Sequence, residues 1–240
     1  MVGYIKIKGI RIYYDVIGKG PKLIFLHGYF LDSRCYREFI CYLAKYFTVY
    51  IIDLPEHGRS GPVRQMNLDN MVGLLGKFIK RLDLKDPILF GHSAGALIAQ
   101  AYAAKHSSKL IISSPPGKKC NIYAFIFKMF FLHPLISFLT NPLKSIPMCF
   151  FGLRNMIRNP RLSFLQLKVN LSEEHGFFDL KTILLWPRYD IFFPFIHSKY
   201  YRHSKLFPIN STHEWPVLSP KEINKNIGEI YEIVCRQGER

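Results

Sequence analysis

Apolar residues recur along this 240-residue chain with two periods, and the periods alternate. Residues 4–8, Tyr-Ile-Lys-Ile-Lys, switch between apolar and polar as a half-exposed strand does, and beyond Gly9 a second strand runs from Ile10 to Val16. The loop Gly18-Lys19-Gly20-Pro21 leads into a third strand, Lys22–Leu26. Tyr36, Phe39, Ile40, Leu43 and Ala44 then fall at helical spacing, with Asp32 or Ser33 as the expected cap. Thr48–Ile52 is continuously apolar, like a strand buried on both faces. Asn67–Leu82 is helical through Met71, Leu74, Leu75, Phe78 and Ile79. Further strands are predicted at Pro87–Phe90, Leu110–Ser113, Thr182–Trp186 and Lys205–Ile209, and further helices from Ala94 to about Lys105, over Phe192–Tyr201 and over Glu222–Val234. Strands alternating with helices predict an α/β fold, a mostly parallel central sheet flanked by helices. The rhythm fails from residue 117 to 178. The expected organisation is a core domain of residues 1–116 and 179–240, with 117–178 inserted as a helical cap.

The chemistry centres on Gly91-His92-Ser93-Ala94-Gly95, between an apolar strand and a small-residue helix. In that context G-x-S-x-G is the pattern of a nucleophile elbow, a turn so sharp that its Ser projects above the sheet. Gly91 and Gly95 suit such a turn, because strand and helix backbones pass where a Cβ would clash. A serine hydroxyl is a poor nucleophile at neutral pH. It needs an imidazole to take its proton and a carboxylate to orient that imidazole. Asp190 follows one predicted strand and His213 follows the next, in the chain order Ser, Asp, His. Tyr29, Ser93, Asp190 and His213 all fall beyond the carboxyl ends of strands, where sites of parallel α/β sheets gather. Asp179 is the rival acid, but it precedes its strand and so falls on the wrong side of the sheet. Asp53 reads as a turn or cap residue, and His27 and His92 as hydrogen-bonding partners of the site's loops. His57, His106, His133, His175, His197 and His203 take no role, and no metal-ligand spacing such as H-E-x-x-H occurs.

On these residues the chain resembles the α/β-hydrolase fold superfamily, in its serine esterase and lipase branch. The resemblance rests on His27-Gly28-Tyr29-Phe30, the Asp53-x-Pro-x-x-Gly58-x-Ser60 stretch, Gly91–Gly95, Asp190 with Pro194, and His213 with Pro216. It implies that the backbone N–H groups of Tyr29 and Ala94 form an oxyanion hole, the fixed donors that a tetrahedral intermediate needs. Two positions depart from the family's pattern. Glu56 stands where the family has Gly, and Trp186-Pro187 replaces the usual Gly before the acid.

Charge changes the picture in one place. Lysine and arginine outnumber acids 33 to 17, a formal charge of +16. No zinc-finger spacing or aromatic RNA-binding motif accompanies it, so no nucleic-acid partner is expected. Residues 117–172 hold eight of the cations and no Asp or Glu, among many large apolar side chains. Ile122–Leu139 approaches spanning length, but Lys128, His133 and Pro134 interrupt it. The segment reads three ways: as an ordinary packed cap, as one lining an acyl pocket over Ser93, or as one resting peripherally on an anionic membrane. Its lack of acids argues against an aminopeptidase, which must hold an ammonium group. The five scattered cysteines read as free thiols, and Met1–Lys6 contains no long apolar run, so a cytoplasmic protein is expected. The expected reaction is hydrolysis of a small-molecule carboxylic ester with an apolar acyl group, with no cofactor and no metal. Alternatives on the same fold are a C–C bond hydrolase, a thioesterase, a perhydrolase or a slow-turnover binding protein.

Overall fold

A computed structural model describes residues 2–63, 67–116, 127–159 and 180–236. Its strands are β1 (Val2–Ile7), β2 (Ile10–Ile17), β3 (Lys22–Leu26), β4 (Thr48–Ile52), β5 (Ile88–His92), β6 (Leu110–Ser113), β7 (Ile183–Tyr189) and β8 (Lys205–Thr212). They form one sheet in the order β1-β2-β4-β3-β5-β6-β7-β8. The pairs β1–β2 and β2–β4 are antiparallel, and the remaining pairs are parallel. The helices are α1 (Arg37–Leu43), α2 (Leu68–Arg81), α3 (Ala94–His106), α4 (His133–Thr140), α5 (Pro142–Arg158), α6 (Trp215–Leu218) and α7 (Ile227–Arg236).

The parallel strands are apolar throughout because helices cover both faces of the sheet. Successive side chains point to opposite faces and so enter different cores. Leu23, Phe25, Phe90, Ile111 and Leu185 pack with α1, Trp215 and α7. Ile24, Leu26, Leu89, Ile112 and Leu184 pack with α2 and α3. The fold is the α/β architecture expected, a mostly parallel eight-stranded sheet between two helical layers.

Four elements differ from the sequence reading. Asp32 does not cap α1; the helix starts after Tyr36 without a side-chain cap, and Asp32 instead pairs with Arg34 at 2.6 Å. Strand β7 continues through Pro187 to Tyr189, with a register shift at that point. After it, only a 3₁₀ turn at Phe195–Tyr200 forms. The Asp190 carboxylate takes the N–H groups of Phe192 and Phe193, each at 2.9 Å, and extended Pro194 blocks an earlier helix start. At the carboxyl end, non-helical Asn226 splits the expected helix into a 3₁₀ turn, Pro220–Lys225, and α7.

Between β6 and β7, residues 127–159 hold a π-helical turn (Lys128–Leu132), α4 and α5. The remainder of the expected insertion, with the rival acid Asp179, lies outside the described residues. These helices are tied to loops that follow strands and to the end of α6. Lys128 Nζ donates to Ile191 O at 2.8 Å, and Asn141 Nδ2 to Leu218 O at 3.0 Å. Asn155 Nδ2 donates to Phe30 O at 2.8 Å, and Arg158 to Gly58 O at 2.7 Å. Among the described residues no helix is long and apolar enough to cross a membrane.

Candidate active site

Ser93 joins β5 directly to α3 with φ 51° and ψ −119°, backbone torsions unfavourable to an L side chain by about 1–3 kcal/mol. The neighbouring glycines make the turn possible. A Cβ on Gly91 would lie 2.4 Å from Ala96 Cα, and one on Gly95 would lie 2.1 Å from Leu26 O. The turn is held by Ser93 N–H donating to Ser113 O at 2.8 Å, and by Ala96 N–H donating to Ser93 O at 2.9 Å.

Three of the residues singled out in the sequence meet here in one hydrogen-bonded chain. His213 Nε2 stands 3.1 Å from Ser93 Oγ, and His213 Nδ1 stands 2.8 Å from Asp190 Oδ2. With Nδ1–H donating to the carboxylate, Nε2 is left to accept the serine proton. The other oxygen of Asp190 is occupied by the Phe192 and Phe193 N–H groups, so the carboxylate cannot rotate away. Trp186, in place of the family's glycine, pins the same turn by donating Nε1–H to Phe193 O at 2.8 Å. Phe192, Phe193 and His92 pack around the His213 ring with centroids 4.9, 5.6 and 5.2 Å away. Burial pulls the His213 pKa down, but the charge and hydrogen bond of Asp190, with help from Glu214, outweigh it and leave the pKa above 6.5.

Tyr29 and Ala94 both border Ser93. Ala94 opens α3, where the first turn's N–H groups lack helical acceptors. Tyr29 follows the end of β3 and shares the pocket wall with Ser93, its ring stacked on His57. Gly28 lets that loop approach, since its Cβ would lie 3.3 Å from Ser93 Cβ. His27 serves the loops: Nε2 accepts from Leu54 N–H at 2.9 Å, and Nδ1–H donates to Gly28 O at 2.7 Å. Burial lowers its pKa, so it stands neutral. Asp53 accepts from Ser33 N–H and Arg59 N–H and organises the loop after β4. Glu56 keeps the left-handed conformation that a glycine would hold there, φ 69°.

Glu214 is a site residue that the sequence reading passed over. It is buried, its Oε1 lies 3.9 Å from His213 Nε2, and its Oε2 lies 3.4 Å from His92 Nε2. Burial would raise its pKa, but His92, then His213 and His133, bring it down to about 2. His92, His213 and Glu214 each offer one atom within 4.8 Å of the others, a group able to hold a metal ion. An ion on His213 Nε2 would take the lone pair that faces Ser93. An acid next to His213 reads in sequence as an ordinary loop residue; only its burial marks it.

Above Ser93 lies a pocket of about 240 Å³. Its wall is mostly apolar, with Leu31, Met129, Met148, Leu153, Met156 and Phe192 contributing. Ser93, His213 and Glu214 supply polar atoms at its base, and His133, which the sequence left without a role, stands in the wall against Phe192.

The profile of the Alpha/beta hydrolase family matches residues 23–193. The chain belongs to that family. This alpha/beta hydrolase is 32% identical over 104 residues to a Mycobacterium phage D29 protein assigned as a non-heme haloperoxidase, which covers 42% of this chain and 37% of that protein. It is also 32% identical over 111 residues to a pimeloyl-[acyl-carrier protein] methyl ester esterase of Chromobacterium violaceum, 44% of this chain and 42% of the relative. The chain thus spans about two fifths of the length of the curated relatives it matches. An esterase of Exiguobacterium antarcticum superposes with a TM-score of 0.80 at 17% identity, covering 97% of this chain and 100% of that one. At that identity the likeness is one of fold.

Proposed function

We propose that this alpha/beta hydrolase is a serine esterase that cleaves carboxylic esters with an apolar acyl group. The observation that carries the reading is the Ser93–His213–Asp190 chain, with spacings of 3.1 and 2.8 Å, at the floor of an apolar pocket. Ser93 Oγ attacks the ester carbonyl while His213 Nε2 takes its proton. Asp190 holds the resulting imidazolium, and the Tyr29 and Ala94 N–H groups hold the oxyanion. The intermediate collapses, His213 returns the proton to the departing alcohol, and an acyl-enzyme remains on Ser93. Water then attacks that acyl group with His213 again as base, releasing the acid and restoring the serine. The apolar wall supports an acyl chain rather than a charged group. The chain's match to a methyl ester esterase supports the bond type.

A fluorophosphonate probe tests the nucleophile. Wild type is expected to be labelled and Ser93→Ala is not; equal labelling of both rejects the mechanism. A series of p-nitrophenyl esters tests the pocket. Rates are expected to rise beyond acetate, and a preference for acetate would count against an acyl site. The match to a haloperoxidase favours one second reading, in which hydrogen peroxide replaces water in the deacylation step and yields a peracid. Peracid formation that competes with hydrolysis at millimolar peroxide would establish it.

A further inference from the structure

Helix α5 is built inside out. Its buried face carries Ser145, Met148, Gly152 and Asn155. Its exposed face carries Leu143, Ile146, Phe150, Leu153 and Ile157, spaced three and four residues apart as a continuous stripe. Leu143 is 84% exposed and Ile157 is 70% exposed. Helix α4 repeats the inversion, with Ser137 buried and Leu135, Phe138 and Leu139 outside. So large a run of apolar side chains in water marks an interaction surface.

Two features say what the surface meets. The first is charge. The described stretch 127–159 contains four cations, Lys128, Lys144, Arg154 and Arg158, and no acid. Lys128 donates to a neutral carbonyl group, which leaves its charge in place, Arg158 donates to Gly58 O near the Glu56 carboxylate, and Arg154 is exposed on α5 itself. Lys144 pairs with the carboxylate of Glu38. A second copy of this +16 chain would bring the same helices, which carry no acid of their own, against this one, so self-association is disfavoured. The second is continuity with the pocket. Phe130 and Leu153 line the pocket over Ser93 and are also exposed on the outer surface.

We propose that the outer face of α4 and α5 docks on an anionic lipid surface, with the mouth of the Ser93 pocket turned toward the bilayer. The apolar stripe enters the acyl boundary, and the cations meet the headgroups, as on interfacial helices. An apolar ester dissolved in the bilayer then reaches the pocket past Phe130 and Leu153 without crossing water. That delivery rests on the esterase reading above; the docking does not.

Vesicle flotation tests it, with phosphatidylcholine alone and with about one third phosphatidylserine. Wild type is expected to float with the anionic vesicles, weakly with the neutral ones, and less as salt rises. Ser93→Ala is expected to float like wild type, which separates docking from catalysis. The triple variant Leu143→Ser, Ile146→Ser, Ile157→Ser is expected to bind anionic vesicles roughly tenfold more weakly. It should still hydrolyse a soluble short-chain ester within about twofold of wild type, the check that it has folded. Arg154→Glu alone is expected to weaken anionic binding several-fold. The proposal is overturned if wild type floats with neither vesicle or equally with both, or if the triple variant floats as wild type does. It is also overturned if wild type sediments as an oligomer without lipid and the triple variant as a monomer, which would assign the face to a second copy.

Discussion

Ser93 combines a strained backbone with a short hydrogen-bonded route to Asp190. Two substitutions separate these features. Ser93→Gly removes both the hydroxyl and the penalty of φ 51°, so hydrolysis should vanish while stability rises by about 1 kcal/mol, measured by urea denaturation. Asp190→Asn should preserve the fold yet lower kcat by about 10³- to 10⁴-fold, because the amide no longer fixes the productive imidazole tautomer. The pH profile carries a sign of its own. In the proposed mechanism His213 must be neutral to accept the Ser93 proton, and, against burial, Asp190 raises its pKa above the ordinary 6.5. The acid limb of kcat/KM should therefore fall above pH 6.5, with activity lost as pH drops through it. A limb centred below pH 6.5 would contradict the proposed base.

Elements place these residues, and small side chains decide how closely elements approach. Helix α3 runs against β3 and β5 because its first turn is nearly bare of side chains. Gly95→Ala would set a Cβ against the rigid Leu26 carbonyl, and a loss of several kcal/mol with a large fall in Tm is expected. Gly73, exposed in α2 with nothing within 4 Å of its Cβ position, is the control. Gly73→Ala should be neutral or stabilise by about 0.5–1 kcal/mol. The covering helix has its own pin. Asn155 joins α5 to Phe30 O, to Asp32 Oδ2 at 3.1 Å and to Gly58 N–H, so it also braces the loop that carries Tyr29. Asn155→Ala should destabilise by about 1–3 kcal/mol. KM for a long-chain ester should rise more than KM for acetate, as steady-state kinetics will show.

Over the whole molecule, buried ionisable groups set the pH range of stability. Glu214 and Asp32 are each lowered to about 2, Glu214 mainly by His92 against burial, and Asp32 mainly by Arg34 against burial. Their stabilisation is complete above their unfolded values, near 4.5 and 3.8, and is lost as pH falls toward 2. His57, lowered to about 4 by burial, has the same sign: its contribution is complete above 6.5 and lost as pH falls through 4. His213, with a raised pKa, has the opposite sign and adds stability below 6.5. His27, His92 and His133, lowered by burial, share the sign of His57, while Glu56, raised by burial, joins His213, so the fold should weaken steadily from pH 6 to pH 3. Fluorescence of the buried Trp186 and Trp215 during acid titration will follow it.

The alternation of strands and helices, the glycines of the elbow, and the positions of Asp190 and His213 just past two strands were legible in the sequence alone. Each is a local matter of period, turn chemistry or order along the chain. Asp190 and His213 followed from topology, because successive parallel strands end on the same side of a sheet. Tertiary structure alone decided what depends on solvent and on distant partners. Glu214 looks like a surface acid until burial sets it against His92 and His213. Asn155 acquires meaning only by meeting Phe30, 125 residues away. The stripe from Leu143 to Ile157 shows the same limit most plainly. Its spacing predicts an apolar helix face equally well whether that face turns inward or outward. Which way it turns was settled by the opposite face, where Asn155 bonds to Phe30 O and Gly58 N–H and Ser145 bonds to Ser137 O.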